Sequence, residues 1–126
     1  MRFLDANIFI YAYYKPKKTI TNISQGKEEV LTTIIHISEI VNILKHGLST
    51  GELNKLILGL FMLDNLQIHG VTREQYLAAT ELADELKLEC NDALAIDITK
   101  QNNVTEIYTF DEDFNNIQGI AKLPKP

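Results

Sequence analysis

The sequence predicts an α/β protein with a central, mostly parallel sheet of about five short strands covered by helices on both faces. Three observations carry that prediction. Short β-prone runs alternate along the chain with longer segments of helical period. Two of those segments open with capping-box spacing, Ser49 with Glu52 and Thr72 with Gln75. Two acids, Asp5 and Asp111, stand after strand candidates, at the edge where open α/β sheets bind their ligands.

The elements follow in order. Arg2–Leu4 reads as the first strand, and a helix begins near Ala6, directly after Asp5. The lysine cluster "YKPKKT" at 14–19 contains Pro16 and follows that helix, so an exposed turn is expected there. A strand over about 30–33 leads into a helix from about Ile34 to Gly47 that is apolar on more than one face. After Ser49, the residues Leu53, Leu56, Ile57, Leu60 and Phe61 recur at helical spacing as one stripe, which describes a surface helix. A short strand over about 67–69 precedes the helix that follows Thr72. On it Tyr76, Ala79, Ala83 and Leu86 share one face, with Glu74, Glu81 and Glu85 opposite. The next helix runs from about Asn91, an amide able to cap it, to about Asn102. "EIYTF" at 106–110 is a fourth strand and "GIAKL" at 119–123 a fifth, and the terminal "KLPKP" should fray.

The 126 residues, 45% of them hydrophobic, suffice for one domain over 1–126 and are too few to expect two. Apolar runs such as "LILGLFML" fall well short of the roughly 20 residues a membrane span needs. The N-terminus also lacks a signal-peptide pattern, so a cytoplasmic protein is expected. Cys90 is the single cysteine, which excludes an intrachain disulfide, and it reads as a small core residue. His36, His46 and His69 show no HxxxH or HExxH spacing, which argues against a histidine zinc site. A formal charge of -5 argues against a protein that binds nucleic acid simply by being basic. An enzyme that reaches nucleic acid through metal ions stays open, because a carboxylate cluster reverses its local sign once loaded.

The acids therefore decide the question. Asp5 is a favoured N-cap residue for the helix after it, and Asn7 could serve as a turn residue. Glu39 lies about 160° round from the stripe of Ile37, Ile40, Val41, Leu44 and Leu48. Its neighbours Ile35 and Ile43 nevertheless make its own face semi-buried, where a carboxylate needs a partner. No Lys or Arg stands three or four residues away, which leaves His36 or a distant ion pair. Asp92 falls in the first turn of its helix, where the dipole favours an anion. Asp97 is about 140° away and reads as solvated. In "TFDEDF" the acids Asp111, Glu112 and Asp113 stand between Phe110 and Phe114.

Four blocks in order, "FLDANIFIYAY", "TTIIHISEIVNIL", "CNDALAID" and "EIYTFDEDFNNIQGI", resemble the signature blocks of PIN domains, in the arrangement of the VapC-type, toxin-like members. The resemblance spans nearly the whole chain. It implies a three-layer α/β/α ribonuclease with its acids gathered at one end of the sheet. Asp5, Glu39, Asp92 and Asp111 match the family's acidic quartet, with Asp113 as a fifth member. Asn7 matches the polar position after the first acid, and Thr109 the hydroxyl before the last acids. Thr33 stands where the family often has serine, and Asn115 where a further acid can follow Phe114.

Two carboxylates ~4 Å apart repel by about 4 kcal/mol at an effective dielectric near 20, so such a cluster needs a compensating cation. All its donors are oxygens, which suits Mg²⁺ or Mn²⁺, with Asp5 and Asp111 expected as primary ligands and Glu39 and Asp92 completing the shell or orienting water, and Asp113 as a further ligand. The activity implied is metal-dependent hydrolysis of single-stranded RNA, with Lys15, Lys17, Lys18 and Lys45 or His46 as candidate backbone contacts. The resemblance also implies a homodimer and a cognate antitoxin protein. A catalytically silent PIN-like module that binds a partner protein is one alternative. An aspartate-based phosphatase is another, although the DxDxT pattern it needs is missing at Asp5-Ala6-Asn7-Ile8-Phe9.

Overall fold

The computed structural model describes residues 1–14, 23 and 25–124, with nothing said of the Tyr14 side chain. Among them, five strands form one parallel sheet: β1 (Arg2–Leu4), β2 (Val30–Thr33), β3 (Leu66–His69), β4 (Glu106–Tyr108) and β5 (Ala121–Leu123), in the order β3-β2-β1-β4-β5. The helices are α1 (Ala6–Tyr14), α2 (Ile34–Leu44), α3 (Thr50–Phe61), α4 (Arg73–Leu86) and α5 (Cys90–Gln101), with a 3-10 turn at Glu112–Phe114.

Alternation along the strands divides the core into two. Phe3, Leu31 and Ile107 point to the face covered by α4 and α5, where they meet Ala79, Leu94 and Ile98. Their neighbours Leu4, Val30 and Tyr108 point to the other face, with Ile8 of α1. The second strand of the sequence is buried at all four positions, as a strand covered on both faces should be. A third cluster joins α1, α2 and α3 through Ala6, Ile37, Ile40 and Leu44, with the α3 residues Leu53, Leu56, Ile57 and Leu60 packed on its outside. No helix among the described residues is long and apolar enough to cross a membrane.

Both expected capping boxes are present, Ser49 with Glu52 and Thr72 with Gln75. Several expectations need correction. On α4 only Ala79 and Ala83 are buried, while Tyr76 and Leu86 lie at the edges of the stripe and are exposed, as is Phe61 on α3. The fourth strand ends at Tyr108 rather than at residue 110: the Thr109 N–H still reaches the Leu123 carbonyl (2.8 Å), but the next two N–H groups, of Phe110 and Asp111, go to the Asn7 and Thr109 side chains instead of a neighbouring strand. The helix expected from Asn91 begins at Cys90 with Glu89 as its cap residue, so Asn91 does not cap it. Cys90 is half-buried at that helix start rather than a core residue. Lys15, Pro16, Lys17 and Lys18 lie outside the described residues.

Candidate active site

The strand order reverses between β1 and β4: β1 is followed in sequence by its neighbour on one side, while β4 joins it on the other. Chain segments leaving these two strands diverge there and open a crevice at the carboxyl edge. Asp5 leaves β1 at this point, with its own N–H still bonded to the Tyr108 carbonyl (3.0 Å). Its side chain is buried at 5% exposure. One carboxylate oxygen accepts the Ala6 N–H (2.7 Å), and the other accepts the Thr109 hydroxyl (2.7 Å).

Thr109 is the hub of the edge. While donating to Asp5, its Oγ1 accepts from the Asn7 side-chain amide (3.1 Å) and from the Asp111 N–H (3.0 Å). The Asn7 carbonyl oxygen in turn accepts the Phe110 N–H (3.2 Å). Asp111 then caps the 3-10 turn by accepting the Asp113 N–H (2.9 Å). A single hydroxyl therefore ties the β1 acid to the loop that carries the later acids. Removing it would leave a buried carboxylate oxygen without its donor.

Glu39 comes from α2, and Asp92 from the first turn of α5. Glu39 accepts a hydrogen bond from the Asn91 side-chain amide. Its partner is thus neither His36 nor a distant cation, as sequence spacing suggested, but an amide from another helix. Asp5, Glu39, Asp92 and Asp111 line one cleft of about 280 Å³ together with Asn7, Asn42 and Glu89. Carboxylate oxygens of Asp92, Asp111 and Asp113 lie within 4.8 Å of one another.

The crowding shows in the protonation equilibria. Asp92 is pushed up to about 7 by burial, and next by the charges of Asp5, Asp111, Glu89 and Glu39. Burial also raises Asp5, against the pull of the Thr109 and Ala6 hydrogen bonds, with the Asp111 charge adding to the rise. Burial raises Glu39 too, opposed by Asn91 and reinforced by Asp5 and Glu89. Each carboxylate is thus held among like charges, with partial compensation from neutral donors at Asp5 and Glu39 only, an arrangement that a cation would relieve.

The other candidate residues fall outside this cleft. Thr33 is buried and caps α2: its Oγ1 accepts the His36 N–H (3.2 Å) and meets His36 Nδ1 at 2.7 Å. Lys45 is exposed at the end of α2, as is His46, and neither lines the cleft. Asp97 points elsewhere and accepts from Gln101 (3.0 Å). Two polar residues of the site, Glu89 and Asn42, escape the sequence reading, and a third, Asn91, enters it only as a helix cap. Glu89 precedes Asp92 by three residues and Asn42 follows Glu39 by three, so helical spacing from the known acids would have found both. Asn91 left no such signal, because its partner is distant in sequence.

Fold and site together define a class: a three-layer α/β protein with an acidic cluster at the switch point of a parallel sheet. A sequence model of the PIN domain matches residues 2–120, and the chain belongs to that family. The toxin VapC20 of Mycobacterium tuberculosis, described as cleaving the sarcin-ricin loop, has a similar structure. Its TM-score is 0.74 at 16% identity, over 91% of this chain and 93% of that one. A chain of a toxin-antitoxin complex from Klebsiella pneumoniae aligns with TM-score 0.73 at 17% identity, covering 96% of each chain. A chain of VapBC2 from Rickettsia felis, bound to a DNA fragment from its promoter, aligns with TM-score 0.70 at 20% identity, over 97% of this chain and 96% of that one. At such identities the likeness is one of fold. No curated protein matches the sequence.

Proposed function

We propose that this chain acts as one PIN-type unit over residues 1–126, a metal-dependent endoribonuclease that hydrolyses single-stranded RNA as the toxin of a toxin-antitoxin pair. The observation that carries the reading is the convergence of Asp5, Glu39, Asp92 and Asp111 on one cleft, with Asp113 beside them. Family membership and the likeness to a sarcin-ricin-loop-cleaving toxin and to chains of two toxin-antitoxin complexes support it.

The donor set fits Mg²⁺ or Mn²⁺: three carboxylate oxygens within 4.8 Å, all hard ligands and none of them sulfur or imidazole. Asp92, Asp111 and Asp113 would hold the ion, with Asp5 and Glu39 completing the acidic wall. Such an ion, when bound, supplies charge stabilisation for a phosphodiester and lowers the pKa of water. Asp5, fixed through both oxygens, keeps the wall from collapsing or turning away. Asn7 and Thr109 lock the Asp111 loop against β1. Glu39, oriented by Asn91, is the residue to accept a proton from the attacking water.

Two apolar surfaces support the partner half of the reading. Phe9, Ile40, Leu44, Leu56 and Leu60 line a cleft of about 190 Å³ between α1, α2 and α3 that suits an apolar antitoxin segment. Leu58, Phe61 and Met62 are exposed on and after α3, where a second copy could cover them in a homodimer. Cleavage of an RNA pool with Mg²⁺ or Mn²⁺, with and without EDTA, tests the activity for wild type and Asp92→Asn. An Asp92→Asn protein as active as wild type overturns the site. If wild type cuts nothing and Asp5→Asn leaves Mn²⁺ binding unchanged by calorimetry, the catalytically silent protein-binding module replaces the ribonuclease.

A further inference from the structure

Tyr11 and Phe110 form an aromatic pair beside the acidic cleft. Their ring centroids lie 4.9 Å apart with the planes tilted by 58°, so neither ring covers the face of the other completely. Each side chain keeps much of its surface in water, 39% for Tyr11 and 38% for Phe110. Neither takes part in the three buried clusters that hold the helices to the sheet. The pair thus stands at the surface, outside the buried clusters of the described residues.

The backbone ties the pair to the site. Phe110 stands between Thr109 and Asp111, and its N–H donates to the Asn7 side chain (3.2 Å). Tyr11 follows Asn7 by four residues, one turn along the same face of α1. The same amide that braces the acidic loop thus fixes where the two rings meet.

Charge gives the pair a purpose. The cleft carries the carboxylates of Asp5, Glu39, Glu89, Asp92 and Asp111, and no Lys or Arg lines it among the described residues. The chain as a whole has a formal charge of -5. A phosphate can be held at such a wall by cations, but these carboxylates repel the backbone next to it, so uncharged contacts beside the cleft add affinity for the strand. Unpaired bases offer those contacts through their π faces, which stack on aromatic side chains whatever the sequence.

We infer that Tyr11 and Phe110 form a base-stacking subsite, which takes an unpaired nucleobase next to the phosphate positioned at Asp92 and Asp111. The inference rests on the ribonuclease reading and deepens it by naming how the strand is gripped.

The test uses single-stranded RNA with 2-aminopurine in place of adenine, whose fluorescence falls on stacking, in Ca²⁺ for binding and in Mn²⁺ for steady-state cleavage. Phe110→Ala, Phe110→Leu and Tyr11→Ala should each weaken binding by about 5- to 150-fold and remove the quenching. KM should rise more than kcat falls, Mn²⁺ affinity by calorimetry should hold, and Phe110→Tyr should restore binding. Phe110→Leu binding like wild type would overturn the subsite, since it keeps apolar bulk without a π face. Loss of Mn²⁺ affinity in these variants would overturn it as well, by making the pair a brace for the acidic loop. So would unchanged RNA binding with altered self-association in sedimentation, which gives the rings to a protein interface. If wild type itself neither binds nor cuts the RNA, the ribonuclease reading has failed; if it cuts and the variants cut with equal KM, only the subsite has.

Discussion

Asp92→Asn should make the metal-free protein more stable while removing its response to metal. Raising this carboxyl from its ordinary 3.8 to about 7 corresponds to a ceiling of ~4 kcal/mol against the folded state once the group is ionised. The side chain is half-buried, and halving for solvent screening leaves ~2 kcal/mol. The sign follows from proton binding. Between 3.8 and about 7 the folded chain holds the proton more tightly than the unfolded one, so wild-type stability from this group is lost as pH rises through that window. At about pH 8 the loss is complete, and an asparagine avoids it. A chain of 126 residues has an unfolding entropy such that ~2 kcal/mol moves Tm by ~8 °C.

Thermal unfolding in EDTA at about pH 8 should therefore place Asp92→Asn above wild type by several degrees, with the gap closing by about pH 4. Mn²⁺ at about 100 times its Kd should raise wild type by ~2.7 kcal/mol, or ~10 °C, and the variant much less. The ranking then closes or inverts on adding metal. An Asp92→Asn protein less stable than wild type in EDTA at high pH would refute the claim that burial and like-charge crowding together set this ionised carboxylate against the fold.

Three further outcomes are expected. Thr109→Val strips the donor to Asp5 and the acceptor for Asn7 and Asp111; it should cost ~3 kcal/mol in urea unfolding, and a loss below ~0.5 kcal/mol would show that the hub is dispensable. Asn91→Leu leaves Glu39 without its amide and should weaken Mn²⁺ binding or cleavage about 10- to 100-fold, checked by calorimetry and turnover. His36, buried edge-on to Phe3 and pushed down to about 4 by burial, should cost the fold up to ~3 kcal/mol as pH falls from 6.5 towards 4. His36→Leu should flatten the Tm profile in that range relative to wild type, and parallel profiles would contradict it.

The legibility of this chain in its sequence followed the range of the interactions involved. Capping boxes at Ser49 and Thr72 join residues three apart, and both formed as their spacing predicts. The stripe on α4 was right in its centre at Ala79 and Ala83 and wrong at its edges, because period fixes a direction but not how far the neighbouring layer extends. The end of β4 was misplaced for a different reason: Phe110 is β-prone, yet its N–H goes to the Asn7 side chain, more than one hundred positions away.

What the sequence determined alone was the local grammar and the set of acids: alternating strands and helices, their caps, and carboxylates at two strand ends and on two helices. Hydrophobic period and capping are short-range, so one chain suffices to read them. Tertiary structure decided the partners. Parallel pairing of β1 with β4 brought Asp5 to Thr109, and the placing of the α5 start and α2 at the same edge of the sheet brought Asn91 to Glu39 and Glu89 into the same cleft. Those contacts depend on crossovers whose ends are far apart in sequence. The burial and the charge crowding that lift Asp92 exist only after they close.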